Sequence, residues 1–122
     1  MLYAILCYHD ENLVGSWSKE HDAEIMQKLS VVQEKLAKQG RLGPVARLLP
    51  TTAATTLRKE DPPLVLDGPF AETKEQLLGF YVVDCQNLDE ALDAARDLAA
   101  VNPGGAYEIR PVGLFFPGEV TP

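Results

Sequence analysis

Two titratable side chains stand at the ends of short apolar runs, where a sheet would present them to a cleft. His9 follows the run from Leu2 to Tyr8, and Asp67 follows Leu64-Val65-Leu66. The ends of neighbouring strands can converge, and a carboxylate beside an imidazole orients the ring and stabilises its protonated form. Such a pair would act as a general base for proton abstraction or elimination. The alternative is structural, with His9 an exposed strand end and Asp67 a turn former.

Five other side chains are candidate ligand contacts: Phe70, Glu72, Lys74, Tyr81 and Arg110. Asp67-Gly68-Pro69 has turn chemistry, and the loop behind it is either a solvated connector or a loop that faces a ligand. Lys74 would bind an acidic ligand or pair with Glu72 or Glu75. Arg110, inside a strand, would bind a substrate carboxylate or pair with an internal acid such as Asp84. Phe70 and Tyr81 would line a pocket or simply fill the core.

The sequence contains no motif for a metal or a cofactor. Its two histidines, His9 and His21, are twelve positions apart, and Cys7 and Cys85 are distant from both. Neither a zinc-ligand spacing nor a calcium loop is present, and no glycine-rich phosphate loop or Gly-x-Ser-x-Gly elbow occurs. We therefore predict that the protein uses no metal and no tightly bound cofactor.

Length, charge and hydropathy restrict the class of protein. The 122 residues suit one domain spanning 1–122, and the net charge of −7 argues against nucleic acid as a partner. No run approaches the roughly 20 apolar residues of a membrane helix, and no basic region precedes the apolar N-terminus. The two cysteines lie inside strand-like runs, which is typical of buried thiols. These features predict a soluble, reduced, cytoplasmic protein that does not bind membranes.

Apolar spacing predicts the elements that position these side chains in the first half of the chain. Leu2 to Tyr8 is a central strand, apolar on both faces. An amphipathic helix follows, capped within Ser16 to Ser18 and ended by Gly40 in a left-handed conformation. The apolar stripe of this helix is formed by Ile25, Leu29, Val32 and Leu36. Pro44 and Pro50 restrict Val45 to Leu49 to an edge segment.

The second half of the chain repeats the strand–helix–strand rhythm. Thr55 to Arg58 and Leu64 to Leu66 form a hairpin, and Phe80 to Cys85 form a second central strand. Asn87 caps a second helix, with Glu90 as its capping-box partner. The closing strand runs from Tyr107 to Val112. The resulting order, β-α-β-β-β-α-β, predicts a split βαβ arrangement with an extra hairpin strand.

Strands that are apolar on both faces need cover on both faces, whereas two helices cover only one. The adjacent aromatic residues Phe115 and Phe116 lie outside any periodic element and would be exposed on a monomer. We therefore expect a homodimer that pairs through the open face of the sheet.

The segment from Asp67 to Gln76, with the sequence DGPFAETKEQ, resembles the signature of the DGPF branch of the YCII-related family. The similarity extends from Leu64 to Val112, and from Met1 to Gly40 in pattern only. The resemblance implies a ferredoxin-like α+β fold with an antiparallel sheet, pairing into a dimeric α+β barrel. The wider family is associated with a His–Asp pair whose histidine lies inside the first helix. Ile25 to Lys35 contains no histidine, so that assignment does not carry over.

Two functions follow from these observations. The first is a small cofactor-independent enzyme that acts on a compact organic acid or a cyclic carbonyl compound by acid–base chemistry, with Asp67 and His9 as catalytic residues. The second is a non-catalytic module that binds a small molecule or regulates a partner. The resemblance implies a link to extracytoplasmic-function sigma factors for the second function. A purely structural dimer is the third reading.

Overall fold

The computed structural model describes all residues, Met1–Pro122, as an α+β fold. Its elements are β1 (Leu2–His9), α1 (Glu11–Gly15), α2 (Lys19–Lys38), β2 (Leu42–Arg47), β3 (Thr55–Arg58), β4 (Leu64–Asp67), β5 (Gln76–Asp84), α3 (Leu88–Ala100) and β6 (Ala106–Pro111). Four strands form an antiparallel sheet in the order β2-β5-β1-β6. With α2 and α3, these strands follow the β-α-β-β-α-β order of a split βαβ unit. The predicted fold class is confirmed to this extent.

The core lies between one face of the sheet and the two long helices. Buried side chains alternate along β1 and β5 and repeat at helical spacing along α2 and α3, as the apolar pattern predicts. They include Tyr3, Ile5, Tyr81 and Val83 from the sheet, and Ile25, Leu29, Leu36, Ala91, Ala95 and Leu98 from the helices. Ile5, Val83 and Leu98 have no exposed surface. The face that carries Tyr3 and Ile5 is therefore the inner face of the sheet.

The helix ends follow the sequence signals closely. The Ser18 hydroxyl accepts the His21 N–H at 3.0 Å at the start of α2. Gly40 ends the helix with φ 71°, as predicted. The Asn87 side chain accepts the Glu90 N–H at 2.9 Å at the start of α3. The Glu90 carboxylate instead accepts the N–H of Gln86 at 3.2 Å, one residue earlier than a capping box requires.

Three parts of the predicted element order are wrong. A short helix, α1, follows β1 because the Asp10 carboxylate accepts the Asn12 N–H at 2.9 Å and caps it. The hairpin of β3 and β4 forms a separate two-stranded sheet and adds no strand to the main one. β5 begins at Gln76, four residues earlier than predicted, so the end of the polar loop is already strand. The edge segment predicted from Val45 to Leu49 is present as the edge strand β2 with other bounds, because β2 runs from Leu42 to Arg47, contains Pro44 and shifts register between Leu42 and Val45.

The outer face of the sheet has no helix over it. Leu6 and Phe80 lie opposite each other on this face, and so do Ala4 and Val82. Most of these side chains are only partly buried within one chain. Beyond them, the hairpin and the C-terminal segment expose large apolar side chains, among them Leu57, Val65, Leu114 and Phe116. None of the helices has the length and apolar character needed to cross a membrane.

Candidate functional site

An apolar cavity of about 120 Å³ lies between the inner face of the sheet and the N-terminal half of α2. Its walls are mostly hydrophobic, with Val14, Ile25, Met26, Leu29 and Val45 among them. Polar groups from distant parts of the chain converge on it: Cys7, His9, Trp17, Asp22, Gln33, Arg47, Tyr81, Asn102 and Tyr107. An apolar cavity with a few convergent polar groups is the usual form of a small-molecule site. We call it the inner cavity.

The phenols of Tyr81 and Tyr107 supply polar contacts in the inner cavity. Burial raises the pKa of Tyr107 to about 12, and a hydrogen bond from Asn102 opposes part of that shift. The Asn102 amide nitrogen donates to the Tyr107 hydroxyl oxygen at 3.0 Å. Burial likewise raises the pKa of Tyr81, with a smaller lowering from the Gln33 side chain. Both phenols are neutral at pH 7, and each keeps its own O–H as a donor for an acceptor in the cavity.

Cys7 is a neutral side chain in the same cavity. Burial raises the pKa of its thiol to about 12, so the thiolate that a nucleophile requires is scarce at pH 7. The sulfur lies 3.8 Å from the Ile5 carbonyl oxygen, a weak hydrogen bond. Cys7 and Cys85 are both free thiols. Cys7 therefore contributes apolar surface to the cavity.

The imidazole of His9 is 8% exposed and is held by backbone on both sides. Its Nδ1 accepts the N–H of Asp10 at 2.7 Å, and its Nε2 lies 3.3 Å from the Pro103 carbonyl oxygen. Because Nδ1 acts as an acceptor, Nε2 carries the ring proton and donates a hydrogen bond to the Pro103 carbonyl oxygen. The ring therefore has no free lone pair with which to take a proton from a substrate.

Trp17 is one of several aromatic side chains in the wall of the inner cavity. Its ring contacts His9 edge-on, with centroids 6.0 Å apart, and His21 edge-on at 5.0 Å. It is the single tryptophan of the chain. Its fluorescence therefore reports on the cavity without interference from another indole.

An ion pair stands at the mouth of the inner cavity. The Arg47 guanidinium, at the end of β2, donates two hydrogen bonds to the Asp22 carboxylate in the first turn of α2, at 3.0 and 3.3 Å. The two side chains are 51% and 36% exposed, respectively. Trp17, Asp22 and Arg47 all belong to segments to which the sequence analysis assigned no function. The only sequence signals were the single tryptophan and an arginine that ends a proline-containing strand.

The loop after β4 lines a second, polar cavity of about 340 Å³ together with α1. Its walls contain no hydrophobic residue and include Asp10, Glu11, Thr51, Gly68, Glu72, Lys74 and Gln76. Lys74 forms no ion pair, so the pairing with Glu72 or Glu75 is absent. No group of three or more histidine, cysteine, aspartate or glutamate side chains is arranged to hold a metal ion.

Several polar side chains of this loop hold its own backbone. The Gln76 amide nitrogen donates to the carbonyl oxygens of Ala71 and Thr73, both at 3.1 Å. The Thr73 hydroxyl donates to the Glu75 carbonyl oxygen at 2.6 Å. Gly68 adopts φ 103°, the positive value expected of a turn glycine. The polar side chains of the loop therefore have a structural role, which does not depend on a ligand.

The sequence-predicted site residues lie in different parts of the molecule. His9 and Tyr81 line the inner cavity, whereas Glu72 and Lys74 line the polar one. Asp67 ends β4 in the separate hairpin, is exposed, and lines neither cavity; its carboxylate makes no hydrogen bond to the turn that follows. Phe70 is 77% exposed, with the Arg58 guanidinium 5.5 Å from its ring. Arg110 is exposed, and its guanidinium lies 3.6 Å from the Glu108 carboxylate.

Arg110 does not pair with Asp84, the internal acid considered as its partner. The Asp84 carboxylate instead binds the N-terminal ammonium of Met1 at 3.1 Å. The structure thus brings His9 and Tyr81 together in one cavity but does not bring Asp67 to them.

Comparisons with known sequences found a matching family model and a similar bacterial protein. The family model described as the YCII-related domain matches residues 1–115. An uncharacterized protein of Rhizobium meliloti (strain 1021) is 62% identical over 122 residues, and the match covers 98% of each chain.

Proposed function

The chain belongs to the YCII-related domain family, and from that premise we propose that it binds a compact organic molecule in the inner cavity. The observation that carries this proposal is the pair of neutral phenols, Tyr81 and Tyr107, in an otherwise apolar cavity. Neutral hydroxyls donate hydrogen bonds to carbonyl or carboxylate oxygens. Because the hydroxyls carry no charge, binding does not have to remove water from a charged protein group. The ligand is therefore a small apolar body that carries an oxygen acceptor.

The size of the inner cavity limits the ligand to a single small ring or a short branched chain. An engineered apolar cavity of about 150 Å³ holds benzene, and the inner cavity is about 120 Å³. A nucleotide or a flavin does not fit in this volume. The sequence-based expectation of a compact organic acid or cyclic carbonyl compound agrees with the limit.

Binding is favoured over acid–base catalysis by the state of the titratable groups in the cavity. The lone pair of His9 accepts a backbone N–H, and the Cys7 thiol stays protonated at pH 7. Asp67, the other half of the predicted catalytic pair, lines a different part of the surface. None of these groups is ready to take a proton from a bound molecule.

We expect cyclohexanone to produce a saturable change in Trp17 fluorescence, because the indole lines the cavity. The double variant Tyr81→Phe/Tyr107→Phe should bind cyclohexanone at least about tenfold more weakly, since two neutral hydrogen bonds are lost. Tyr3→Phe is the matched control, because Tyr3 is 4% exposed and does not line the cavity. Wild-type affinity in the double variant, or no response of Trp17 to cyclohexanone, would contradict the proposal.

Asp67→Asn is expected to change neither folding nor binding. The Asp67 carboxylate makes no hydrogen bond within the chain and lines neither cavity. We expect the free energy of unfolding to change by less than about 0.5 kcal/mol, as for an ordinary surface substitution. Thermal melting and the Trp17 titration with cyclohexanone measure the two quantities. A loss of binding with intact stability would show that the charge of Asp67 acts in the site, as the sequence analysis predicts.

We also propose that a second copy of the chain covers the outer face of the sheet. Leu6 and Phe80 lie side by side on that face with no element of their own chain packed above them. Apolar groups on the hairpin and the C-terminal segment extend the uncovered surface, with Leu66 44% and Phe115 37% exposed. Surfaces of this kind on soluble proteins usually mark an interface. The dimer should bury at least roughly 1,200 Å² in total.

A further inference from the structure

We propose that Arg47 determines which ligands the inner cavity accepts, and that the natural ligand is an organic acid whose carboxylate pairs with the Arg47 guanidinium. The inference rests on the proposed function, because it concerns the mouth of the same cavity. It narrows the ligand from any compact molecule with an oxygen acceptor to a monocarboxylic acid with an apolar body.

The inner cavity opens towards solvent through a neighbouring groove. This outer groove, of about 450 Å³, runs between α1, the start of α2 and the segment after β2. Both spaces are lined by Val14, Trp17, Asp22, Arg47 and Leu78. A ligand that enters by the groove therefore passes the Arg47–Asp22 pair, which borders both spaces.

The Arg47 guanidinium already binds a carboxylate at this position, that of Asp22. Two hydrogen bonds, at 3.0 and 3.3 Å, join the two groups in the forked geometry that guanidinium favours with carboxylates. The pair is partly exposed, and exposed pairs of this kind are weak because water and salt screen them. An incoming carboxylate can therefore take the place of Asp22 at small cost.

Beside the Arg47–Asp22 pair, the outer groove contains one ammonium, that of Lys19, and one carboxylate, that of Glu11. Lys19 lines the groove and takes part in no ion pair of the chain. Glu11 also lines it, but its two carboxylate oxygens accept the N–H and the hydroxyl of Thr51, at 2.7 and 2.6 Å. Asp22 is thus the one carboxylate that competes for Arg47. The ammonium of Lys19 is available to the anion on its way in.

The chemistry of the two spaces together defines the ligand. Hydrophobic walls take an apolar body, and the two oxygens of a carboxylate can accept from the Arg47 guanidinium and from a phenol, which line the same cavity. Benzoate has this form, and its ring is of the size that the inner cavity admits. Benzamide has nearly the same shape without the charge. The difference in affinity between benzoate and benzamide therefore measures the contribution of the ligand's charge, and the change of that difference in Arg47→Met measures the contribution of Arg47.

The test is a titration of Trp17 fluorescence with benzoate and benzamide. We expect wild-type protein to bind benzoate at least about tenfold more tightly than benzamide, because a charge-assisted forked contact is added. Arg47→Met should abolish this preference and leave benzamide binding within about twofold. Asp22→Asn should tighten benzoate binding, since it removes the competing carboxylate. Arg58→Met is the control, because Arg58 forms a comparable surface pair with Glu60 and lines neither space.

Two kinds of failure are distinguishable. Equal binding of benzoate and benzamide by wild-type protein, or an unchanged preference in Arg47→Met, would overturn the role of Arg47 and leave cyclohexanone binding in place. If cyclohexanone, benzoate and benzamide all leave Trp17 unchanged, the proposed function fails and this inference fails with it. Circular dichroism of each variant separates a loss of binding from a loss of fold.

Discussion

Gly105→Ala is expected to destabilise the protein by more than about 3 kcal/mol, which is the largest effect of any substitution proposed for this chain. Gly105 adopts φ +74°, a conformation that residues with a side chain rarely take. A Cβ at this position would overlap the backbone carbonyl oxygen of Tyr8 and stand 3.1 Å from the His9 ring. The neighbouring backbone belongs to β1, in the middle of the sheet, so it cannot move away cheaply.

The consequence extends to the site, because the same loop holds His9. The Pro103 carbonyl oxygen is the partner of the His9 Nε2, and Gly104 lines the inner cavity. Displacing the loop would therefore weaken ligand binding. It would also lower the melting temperature by on the order of 10 °C or more, the shift that corresponds to a loss of about 3 kcal/mol. Thermal melting by circular dichroism measures the first effect and Trp17 titration the second.

Gly15→Ala is the matched control for this substitution. Gly15 ends α1, has no positive φ, and a Cβ there would meet nothing within 4 Å. Alanine should therefore be neutral, or stabilising by up to about 1 kcal/mol through its higher helix propensity. A Gly105→Ala protein that melts within about 2 °C of wild type would show that the loop is not constrained as its geometry indicates.

Leu6→Asp is expected to convert the proposed dimer into a monomer. Leu6 lies on the outer face of the sheet, opposite Phe80 on one side and Glu108 on the other. A carboxylate there would be buried between two subunits directly opposite the carboxylate of Glu108, and burying a charge beside a like charge costs several kcal/mol. Light scattering should give twice 13.4 kDa for wild type and 13.4 kDa for the variant.

The control for Leu6→Asp carries the same charge change on a surface that we expect to stay exposed. Val31 is 59% exposed on α2, and Val31→Asp should remain dimeric. Retained helical and strand signal in the circular dichroism of Leu6→Asp would show that its own chain still folds. A wild-type mass of 13.4 kDa at micromolar concentration, or a dimeric Leu6→Asp, would contradict the proposed interface.

The sequence alone determined the secondary structure wherever local signals agreed. The four-residue spacing from Ile25 to Leu29, the cap at Ser18 and the left-handed Gly40 together defined α2 almost to the residue. Alternation along β1 divided its side chains between two faces, because side-chain direction in a strand has a period of two, but since both faces are apolar the sequence did not show which one faces the helices. Pro44 identified β2 as an edge strand, since proline lacks the N–H that a central strand donates on one side. The motif from Asp67 to Gln76 identified the family because its residues are contiguous in the sequence.

Tertiary structure alone decided which side chains share a site. His9 binds the Pro103 carbonyl, 94 positions away, and Arg47 binds Asp22, 25 positions away. No local spacing encodes such contacts, because they depend on how β2 and the loop after α3 pack against β1 and α2. The same packing left Asp67 in a separate hairpin, although both Asp67 and His9 end strands. Pairing partners are fixed by the whole chain rather than by either strand, and β4 pairs with β3 instead of joining the sheet that contains β1.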